Sequence, residues 1–282
     1  MLPAGSPLSA WQTWLESLHP EEIELGLDRV QDVLGRLDLQ LPDHVLTIAG
    51  TNGKGSSVAM AGALLRAAGY RVGAYTSPHI VDYNERISIG TAAGARHAGD
   101  NDIVAAFEKI ESVRNGTPLT YFEYGTLAAF VVFAAAELDV WILEVGMGGR
   151  LDATNVIDPT AVLITNIALD HCDWLGEDIE TIAREKAGVM RSGVPVVFGS
   201  IEVPDAIRQH AADIGARLLL RERDFSADGV PMPGLQGDFQ TGNAAAVLAL
   251  LRAAGLDAAA EPGLAADVLP GVSLAGRGQR VA

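Results

Sequence analysis

The sequence predicts an α/β protein with a mostly parallel sheet that helices cover on both faces. Short apolar runs rich in β-formers alternate with segments that have helical periodicity, as in βαβ units. Several of these runs are apolar throughout, which is typical of parallel strands buried on both faces. A glycine-rich turn joins the first run to the next helix. The 282 residues, 49% of them hydrophobic, suffice for one large or two modest domains.

Apolar residues at helical spacing predict nine helices, at residues 8–19, 26–37, 58–69, 101–113, 120–138, 179–190, 204–214, 242–254 and 262–269. The apolar runs predict strands at residues 45–49, 71–76, 87–89, 140–145, 160–167, 194–199 and 216–220. Residues 91–101 are small and polar, which predicts an exposed excursion, and residues 225–236 read as a small β excursion.

The overall charge limits the classes of partner. A formal net charge of −16 makes nucleic acid and anionic membranes poor partners, since both require basic surfaces. The single cysteine, Cys172, excludes an intrachain disulfide and a cysteine-rich metal site. Neither a secretory signal nor an apolar run of membrane-spanning length is evident, so a cytoplasmic protein is expected.

The segment 45–57 organises the chain, because a strand runs through a glycine-rich turn into a helix. Small residues let backbone N–H groups surround an anion, and the helix N-terminus adds positive potential. Lys54 is placed to reach terminal phosphates, and a hydroxyl of Ser56 or Ser57 is a candidate Mg²⁺ ligand. Gly55 separates the lysine from the hydroxyls, unlike the standard phosphate-loop pattern. An ordinary glycine-rich turn is the alternative.

Polar residues follow three further predicted strands: Ser77 and His79, then Glu144, then Asp170 and His171. Ligands of parallel sheets bind outside the carboxyl ends of the strands. Glu144 is a candidate Mg²⁺ ligand, or else it caps a turn. His171 is a candidate metal ligand, or a turn histidine with an ordinary hydrogen bond.

The chain has three lysines, of which Lys54 and Lys186 fall in candidate site segments. Lys186 lies on a predicted helix after the His171 loop, where the alternative is a solvated helix residue.

Six segments contain a distinctive set of motifs: Gly50-Thr51-Asn52-Gly53-Lys54-Gly55-Ser56, Thr76-Ser77-Pro78-His79, Asn84-Glu85-Arg86-Ile87, the run 144–155, Asp170-His171 and Glu185-Lys186-Ala187-Gly188. Together they closely resemble the dihydrofolate synthase/folylpolyglutamate synthase family, the folate branch of the Mur ligase superfamily. The glycine-rich run 144–155 is the strongest signal. The resemblance covers nearly the whole chain and implies a P-loop-containing Mur-ligase central domain.

The resemblance implies ATP-dependent ligation of L-glutamate to dihydropteroate, to the glutamate tail of folates, or to both, through an acyl phosphate. It implies ATP and Mg²⁺ as cofactors, with two metal ions and K⁺ as further candidates. The partners would be small molecules, and the protein would act as a monomer. Two alternatives stay open: a non-catalytic ATP-binding module, and a Mur ligase acting on cell-wall precursors, against which the run 144–155 argues.

The resemblance also assigns roles to particular residues. The catalytic residues would be Lys54, Glu144, His171 and Lys186. The metal ligands would be Ser77, Glu144 and His171, and Lys186 would be carbamylated. ATP would be contacted by Asn52, Gly53, Lys54, Gly55, Ser56, Asn243 and Arg277. The Pro-Gly-Arg motif that carries this arginine in the family reads Ala275-Gly276-Arg277 here. The pteroate substrate would be contacted by Asp28, Arg29, Thr120, Tyr121, Phe122, Glu123, Leu151, Asp152 and Ala153.

Members of this family continue into a second α/β domain. We therefore expect residues 1–274 to form the ATP- and pteroate-binding catalytic domain and residues 275–282 to begin an interdomain linker. The C-terminal glutamate-ligase domain is expected to lie outside this sequence. Ligation by this sequence alone is expected to be weak or absent, because domain closure completes such sites.

Overall fold

The computed structural model describes residues 2–3, 5–18 and 24–274. Its helices are α1 (Leu8–Leu18), α2 (Asp28–Leu37), α3 (Lys54–Ala67), α4 (Asp100–Val113), α5 (Tyr121–Ala135), α6 (Cys172–Leu175), α7 (Ile179–Ala187), α8 (Asp205–Ile214), α9 (Phe239–Ala253) and α10 (Pro262–Val268). Its strands are β1 (His44–Ala49), β2 (Val72–Tyr75), β3 (Ile87–Thr91), β4 (Gly94–His97), β5 (Val140–Glu144), β6 (Ala161–Ile164), β7 (Pro195–Phe198) and β8 (Arg217–Leu220). In this part of the chain, no helix has the length and apolar character needed to cross a membrane.

The eight strands form one sheet in the order β4-β3-β2-β5-β1-β6-β7-β8. The six strands from β2 to β8 run parallel to one another, and β3 and β4 add an antiparallel hairpin at one edge. The predicted α/β class with a mostly parallel sheet is confirmed. Residues 91–101 are mostly exposed, as predicted, but they contain strand β4, which pairs with β3.

The β excursion predicted at residues 225–236 is wrong. This segment lies wholly within the described residues and contains no strand, and only an isolated bridge joins Phe225 to Arg221. Pro231 and Pro233 explain the difference, because proline has no N–H to donate to a strand ladder. The antiparallel excursion of the sheet is the β3–β4 hairpin instead.

The helices cover both faces of the sheet, and the side chains of the strands alternate between them. On β1, Val45 packs into the layer that contains α1, α2, α4 and α5, whereas Leu46 and Ile48 pack against α3, α9 and α10. On β5, Trp141 packs into the first of these layers and Ile142 into the second. Burying each large apolar side chain stabilises the fold by about 1.5–3 kcal/mol.

The register of the central strands brings their carboxyl ends to one level of the sheet. Ile48 of β1 is paired with Glu144 of β5, and Ala49 of β1 with Ile164 of β6. Tyr75 of β2 is paired with Leu143 of β5. The segments that follow β1, β2, β5 and β6 therefore start side by side at one edge of the sheet, as the sequence predicts.

Two helical glycines should respond oppositely to alanine. Around Gly35 of α2, an added Cβ meets nothing within 4 Å, so Gly35→Ala should raise the free energy of unfolding by about 0.5–1 kcal/mol. Around Gly125 of α5, a Cβ would lie 2.6 Å from the hydroxyl of Tyr83, so Gly125→Ala should lower it by about 1–3 kcal/mol. Urea unfolding measures both, and a change of the same sign in both variants would contradict this account of the packing.

Candidate nucleotide and substrate site

The glycine-rich turn after β1 leads directly into α3. Gly50 and Gly53 have φ values of +135° and +84°, a region that side chains with a Cβ rarely adopt. Because Gly53 turns the chain, α3 begins at Lys54, four residues earlier than the predicted start. The first N–H groups of a helix lack intrahelical acceptors, so this turn offers donors and positive potential to a phosphate. The Lys54 ammonium donates to the carbonyls of Gly50 (3.1 Å) and Thr51 (3.2 Å).

The chain after β6 fixes the shape of this phosphate loop. The backbone N–H groups of Thr51 and Asn52 donate to the carbonyl and side-chain oxygens of Asn166, at 3.0 and 2.9 Å. The hydroxyl of Thr165 donates to the carbonyl of Asn52 at 2.7 Å. Thr165 and Asn166 were not predicted as site residues, because the predicted strand 160–167 included them, whereas β6 ends at Ile164.

Helix α9 approaches the loop from the other side. Asn243, a predicted nucleotide contact, lies so close that a Cβ on Gly53 would be 2.9 Å from its amide nitrogen. This amide donates to Gln240 at 3.0 Å, and the Gln240 amide donates to the hydroxyl of Ser56 at 3.2 Å. Gln240 was not predicted as a site residue, because its burial depends on how α9 packs in the folded protein. Arg277, the other predicted nucleotide contact outside the loop, lies beyond the described residues.

Glu144 lies where β5 ends, between the phosphate loop and the chain after β2. Its side chain is buried, and its carboxylate accepts from the backbone N–H of Ser77 at 3.4 Å. A Cβ on Gly55 would lie 3.9 Å from each of its carboxylate oxygens. The structure thus brings together Glu144, Ser77 and the phosphate loop.

His171 precedes the short helix α6 and is more exposed than the other predicted metal ligands. Its backbone has a φ of +51°, and its Nε2 lies 3.7 Å from a carboxylate oxygen of Asp170. Among the described residues, no three His, Cys, Asp or Glu side chains converge as a metal cluster would. The predicted metal ligands are of three different kinds: the carboxylate of Glu144, the hydroxyl of Ser77 and the imidazole of His171.

Lys186 lies on α7 with its ammonium group against the phosphate loop. The side chain is only 4% exposed, which excludes the alternative of a solvated helix residue. Its Nζ donates to the carbonyl of Gly50 at 3.1 Å, and the same carbonyl accepts from Lys54. Burial, and then the charge of Lys54, lower the pKa of Lys186 to about 8. Its amine is thus neutral far more often at pH 7 than that of an exposed lysine.

Asp152 shapes the glycine-rich segment after β5. One carboxylate oxygen accepts from the backbone N–H groups of Gly146 (3.0 Å) and Met147 (2.9 Å). The other accepts from the backbone N–H (3.0 Å) and the hydroxyl (2.6 Å) of Thr154. Burial raises the pKa of Asp152, although these donors favour the carboxylate. The side chain holds the turn closed from inside.

The same segment holds the end of α7 in place. The backbone N–H of Arg150 donates to the carbonyl of Glu185 at 2.9 Å. The amide of Asn155 donates to the carbonyls of Arg150 (3.0 Å) and Gly188 (3.1 Å). A Cβ on Gly149 would lie 2.9 Å from the carbonyl oxygen of Glu185, so glycine permits this close approach. The segment thereby positions the turn of α7 that carries Lys186.

We expect Asp152→Asn to lower the free energy of unfolding by about 2–4 kcal/mol. Both carboxylate oxygens accept from donors, so the amide nitrogen would face N–H or O–H groups in either orientation. Urea unfolding measures the change. Asp158→Asn is the matched control, since that side chain is 82% exposed and its ion pair with Arg191 should contribute about 1 kcal/mol or less. Equal effects of the two substitutions would contradict this role.

A cavity of about 770 Å³ adjoins these elements and has a volume suited to a small organic ligand. Nine of its lining residues were predicted as site residues: Ser77, Thr120, Tyr121, Phe122, Glu123, Leu151, Asp152, Ala153 and His171. The other lining residues are Leu15, Glu16, Glu24, Leu25, Pro78, His79, Arg86, Gly146 and Met147.

Asp28 and Arg29 do not line this cavity. Arg29 reaches its wall through Glu123, whose two carboxylate oxygens lie 2.8 and 2.9 Å from the arginine Nε. Glu123 also accepts from the backbone N–H of Thr120 at 2.8 Å, which caps α5. The predicted contacts of Asp28 and Arg29 with substrate stay predictions.

The fold and the site define a P-loop α/β domain, in which a glycine-rich loop at the edge of a parallel sheet lies near a cavity of about 770 Å³. The Mur ligase middle domain family matches residues 48–219. Dihydrofolate synthase/folylpolyglutamate synthase of Escherichia coli is 44% identical over 288 residues, covering 95% of this chain and 66% of the relative. The Haemophilus influenzae protein of the same name is 44% identical over 225 residues, covering 79% of this chain and 50% of the relative.

Solved structures agree with the sequence relatives. The E. coli FolC structure in complex with DHPP and ADP has a TM-score of 0.92 at 42% identity, covering all of this chain and 70% of that one. The bifunctional synthase from Yersinia pestis, complexed with AMPPNP and Mn, has a TM-score of 0.88 at 44% identity, with the same coverage. This chain belongs to the Mur ligase family, in its dihydrofolate synthase/folylpolyglutamate synthase branch. It spans half to two thirds of the length of the two curated relatives above.

Proposed function

We propose that this chain carries the nucleotide and pteroate sites of an enzyme that ligates L-glutamate to dihydropteroate, to the glutamate tail of folates, or to both, using ATP. The observation that carries the proposal is the position of the cavity. It is lined by Ser77, whose backbone contacts Glu144, and Glu144 in turn lies against Gly55 of the phosphate loop. A carboxylate at this end of the cavity would lie beside the nucleotide phosphates.

The ligands of related structures fit this arrangement. One solved relative holds DHPP together with ADP, and another holds Mn, AMPPNP and L-glutamate. The first pair would fill the cavity and the phosphate loop of this chain. L-Glutamate would then approach the activated carboxylate as the attacking amine.

The proposed reaction has two steps. A carboxylate oxygen of the acceptor attacks the γ-phosphorus of ATP, which releases ADP and turns a poor electrophile into an acyl phosphate. The amine of L-glutamate then attacks the acyl carbon, loses a proton, and phosphate leaves as the amide forms. The backbone N–H groups of the loop and Lys54 would hold the phosphates and offset the repulsion between the two anionic reactants.

We further propose that Glu144, Ser77 and His171 hold Mg²⁺. Mg²⁺ is usually bound by one or two carboxylates together with substrate phosphates, and the buried carboxylate beside the loop fits that donor set. The hydroxyl of Ser57 is buried and has no hydrogen-bond partner among the described residues, which makes it a further oxygen donor at the start of α3. The ion would neutralise part of the negative charge of the ATP phosphates. The proposal includes a second Mg²⁺ ion and K⁺ as further cofactors.

Carbamylation of Lys186 is part of the proposal. A neutral lysine amine attacks the carbon of CO₂ and releases a proton, which leaves an anionic carbamate. The pKa of about 8 supplies neutral amine near physiological pH. As ammonium groups, Lys54 and Lys186 repel each other. A carbamate on Lys186 would be negatively charged and would attract the ammonium group of Lys54.

We propose that the enzyme has two domains. Residues 1–274 would form the catalytic domain, and a C-terminal domain would complete the site around L-glutamate and ATP. The enzyme would act as a monomer on small molecules in the cytoplasm. The strongly acidic composition supports small-molecule substrates over nucleic acid or membranes.

Coupled detection of ADP release tests the proposal. The assay uses a form extended by the predicted C-terminal domain, and it should require both dihydropteroate (or a folate) and L-glutamate. Calorimetry should also detect ADP and pteroate binding to the 282-residue chain. Nucleotide binding without turnover in the extended form would favour a non-catalytic module, and stimulation by a UDP-muramyl substrate would favour a cell-wall ligase.

A further inference from the structure

Arg86 is a buried cation without a carboxylate partner in the described part of the chain. It ends the short 3₁₀ helix Tyr83–Arg86, its side chain is 9% exposed, and it lines the substrate cavity. No ion pair among the described residues includes it, and its Nε donates instead to Nδ1 of His79 at 2.8 Å. Since that ring nitrogen accepts a hydrogen bond, it carries no proton, and His79 does not supply negative charge.

Two aromatic rings hold the guanidinium in place. Its central carbon lies 5.5 Å from the ring centroid of Tyr83 and 5.7 Å from that of Tyr121. Contacts of this kind orient an arginine and attract it modestly. The hydroxyl of Tyr75 is a further hydrogen-bonding neighbour of the guanidinium, and burial raises the pKa of this tyrosine, so the hydroxyl is neutral. Arg86 is therefore fixed in orientation by neighbours that carry no negative charge.

The two buried carboxylates of the cavity wall, Glu123 and Asp152, differ from Arg86, because protein groups satisfy them. Glu123 is paired with Arg29, and Asp152 accepts from the N–H groups of its own loop. An unpaired buried charge is costly, so a fold that holds one against a cavity favours a ligand of opposite charge.

We propose that Arg86 binds the carboxylate of the pteroate or folate acceptor, the group that the proposed reaction phosphorylates. Through His79, Arg86 contacts the cavity-lining segment that also carries Ser77, and the backbone of Ser77 contacts Glu144 beside the phosphate loop. The fork of a guanidinium matches the two oxygens of a carboxylate. Arg86 would thus select acids over neutral analogues and aim the reacting oxygen. This inference rests on the proposed function.

The test compares an acid ligand with its neutral counterpart. Isothermal calorimetry measures binding of pteroate and of pteroate amide, which lacks the negative charge, to the wild-type chain and to Arg86→Met. We expect Arg86→Met to weaken pteroate binding about 10- to 100-fold, and binding of the amide less than about 3-fold. ADP affinity should be unchanged in Arg86→Met.

Arg66→Met is the matched control. Arg66 is a half-buried arginine of α3 that takes part in no ion pair among the described residues and does not line the cavity. Its loss removes the same charge, and pteroate binding should not change. Arg86→Lys keeps the charge but not the fork, so it should recover part of the lost affinity. If Arg86→Met does not fold, Arg86→Lys and the acid–amide difference in the wild type still test the inference.

The outcomes separate this inference from the proposed function. Equal losses for the acid and the amide in Arg86→Met, or equal affinities of the two ligands for the wild type, would overturn the role of Arg86 alone. A raised KM for L-glutamate with unchanged pteroate binding would also overturn it, because Arg86 would then bind the other substrate. Failure of the wild type to bind either ligand would overturn both proposals.

Discussion

Replacing Lys186 by methionine is expected to reduce glutamate-dependent turnover by about 10³-fold or more while making the fold more stable. The amine lies against the phosphate loop and is the proposed carbamylation site, so its loss removes chemistry that the surroundings do not replace. The same ammonium is buried 3.1 Å from a single carbonyl and near the charge of Lys54. Methionine has a similar length and no charge, and it should raise the free energy of unfolding at pH 7 by about 1–3 kcal/mol.

The gain in stability should depend on pH. The pKa of Lys186 is about 8 in the folded protein, against an ordinary value of 10.5. Between these values the unfolded chain binds a proton that the folded chain does not, so the wild type becomes more stable as pH rises. The advantage of Lys186→Met should therefore be greatest below pH 8 and disappear toward pH 10.5. Urea unfolding at pH 7, 8.5 and 10 in CO₂-free buffer, where Lys186 carries no carbamate, measures this advantage.

Two further variants control this prediction. Lys109→Met removes an exposed lysine of α4 and should change neither turnover nor the free energy of unfolding by much. Lys186→Ala should be inactive but partly rescued by short carboxylic acids, which would supply the oxygens of the carbamate. Full turnover in Lys186→Met, or lower stability than the uncarbamylated wild type at pH 7 in CO₂-free buffer, would contradict the role assigned to this lysine.

Gly50→Ala should abolish nucleotide binding and lower the free energy of unfolding by about 3–5 kcal/mol. At this residue φ is +135°, and an added Cβ would lie 1.9 Å from the hydroxyl of Thr165. The backbone must therefore move, and this movement would break the hydrogen bonds that Thr165 and Asn166 make to the backbone of Asn52. ADP calorimetry and urea unfolding measure the two effects.

Two comparisons separate backbone strain from the clash. Gly69 also has a positive φ, +95°, but an added Cβ there meets nothing within 4 Å. Gly69→Ala should lower the free energy of unfolding by only about 1–2 kcal/mol and leave ADP affinity unchanged. Adding Thr165→Ala to Gly50→Ala should recover part of the stability. ADP affinity equal to that of the wild type in Gly50→Ala would show that this loop does not bind the nucleotide.

Much of the site was predictable because parallel sheets bring the ends of their strands together. Ser77, Glu144 and the phosphate loop each follow an apolar run, and their convergence follows from the class of sheet. The resemblance added the role of Lys186 and the residues 120–123 and 151–153. Lys186 proved to be buried against the loop, and both groups of residues line the cavity in full.

The residues missed act through partners that are distant in sequence. Thr165 and Asn166 bond to the loop more than 110 residues away, and Gln240 bonds to Ser56 across 184 residues. Arg86 was visible only as part of a motif. Its lack of a carboxylate partner among the described residues depends on which side chains surround it after folding.

The amino-acid sequence by itself determined the α/β class, the phosphate loop and the polar strand ends, because these depend on periodicity and on short-range backbone chemistry. Tertiary structure decided which charged groups are paired and which are not. Glu123 is paired with Arg29, Lys186 shares a carbonyl with Lys54, and Arg86 faces the cavity. The reason is physical: the cost of a buried charge depends on its neighbours in space, and those are set only when distant segments pack together.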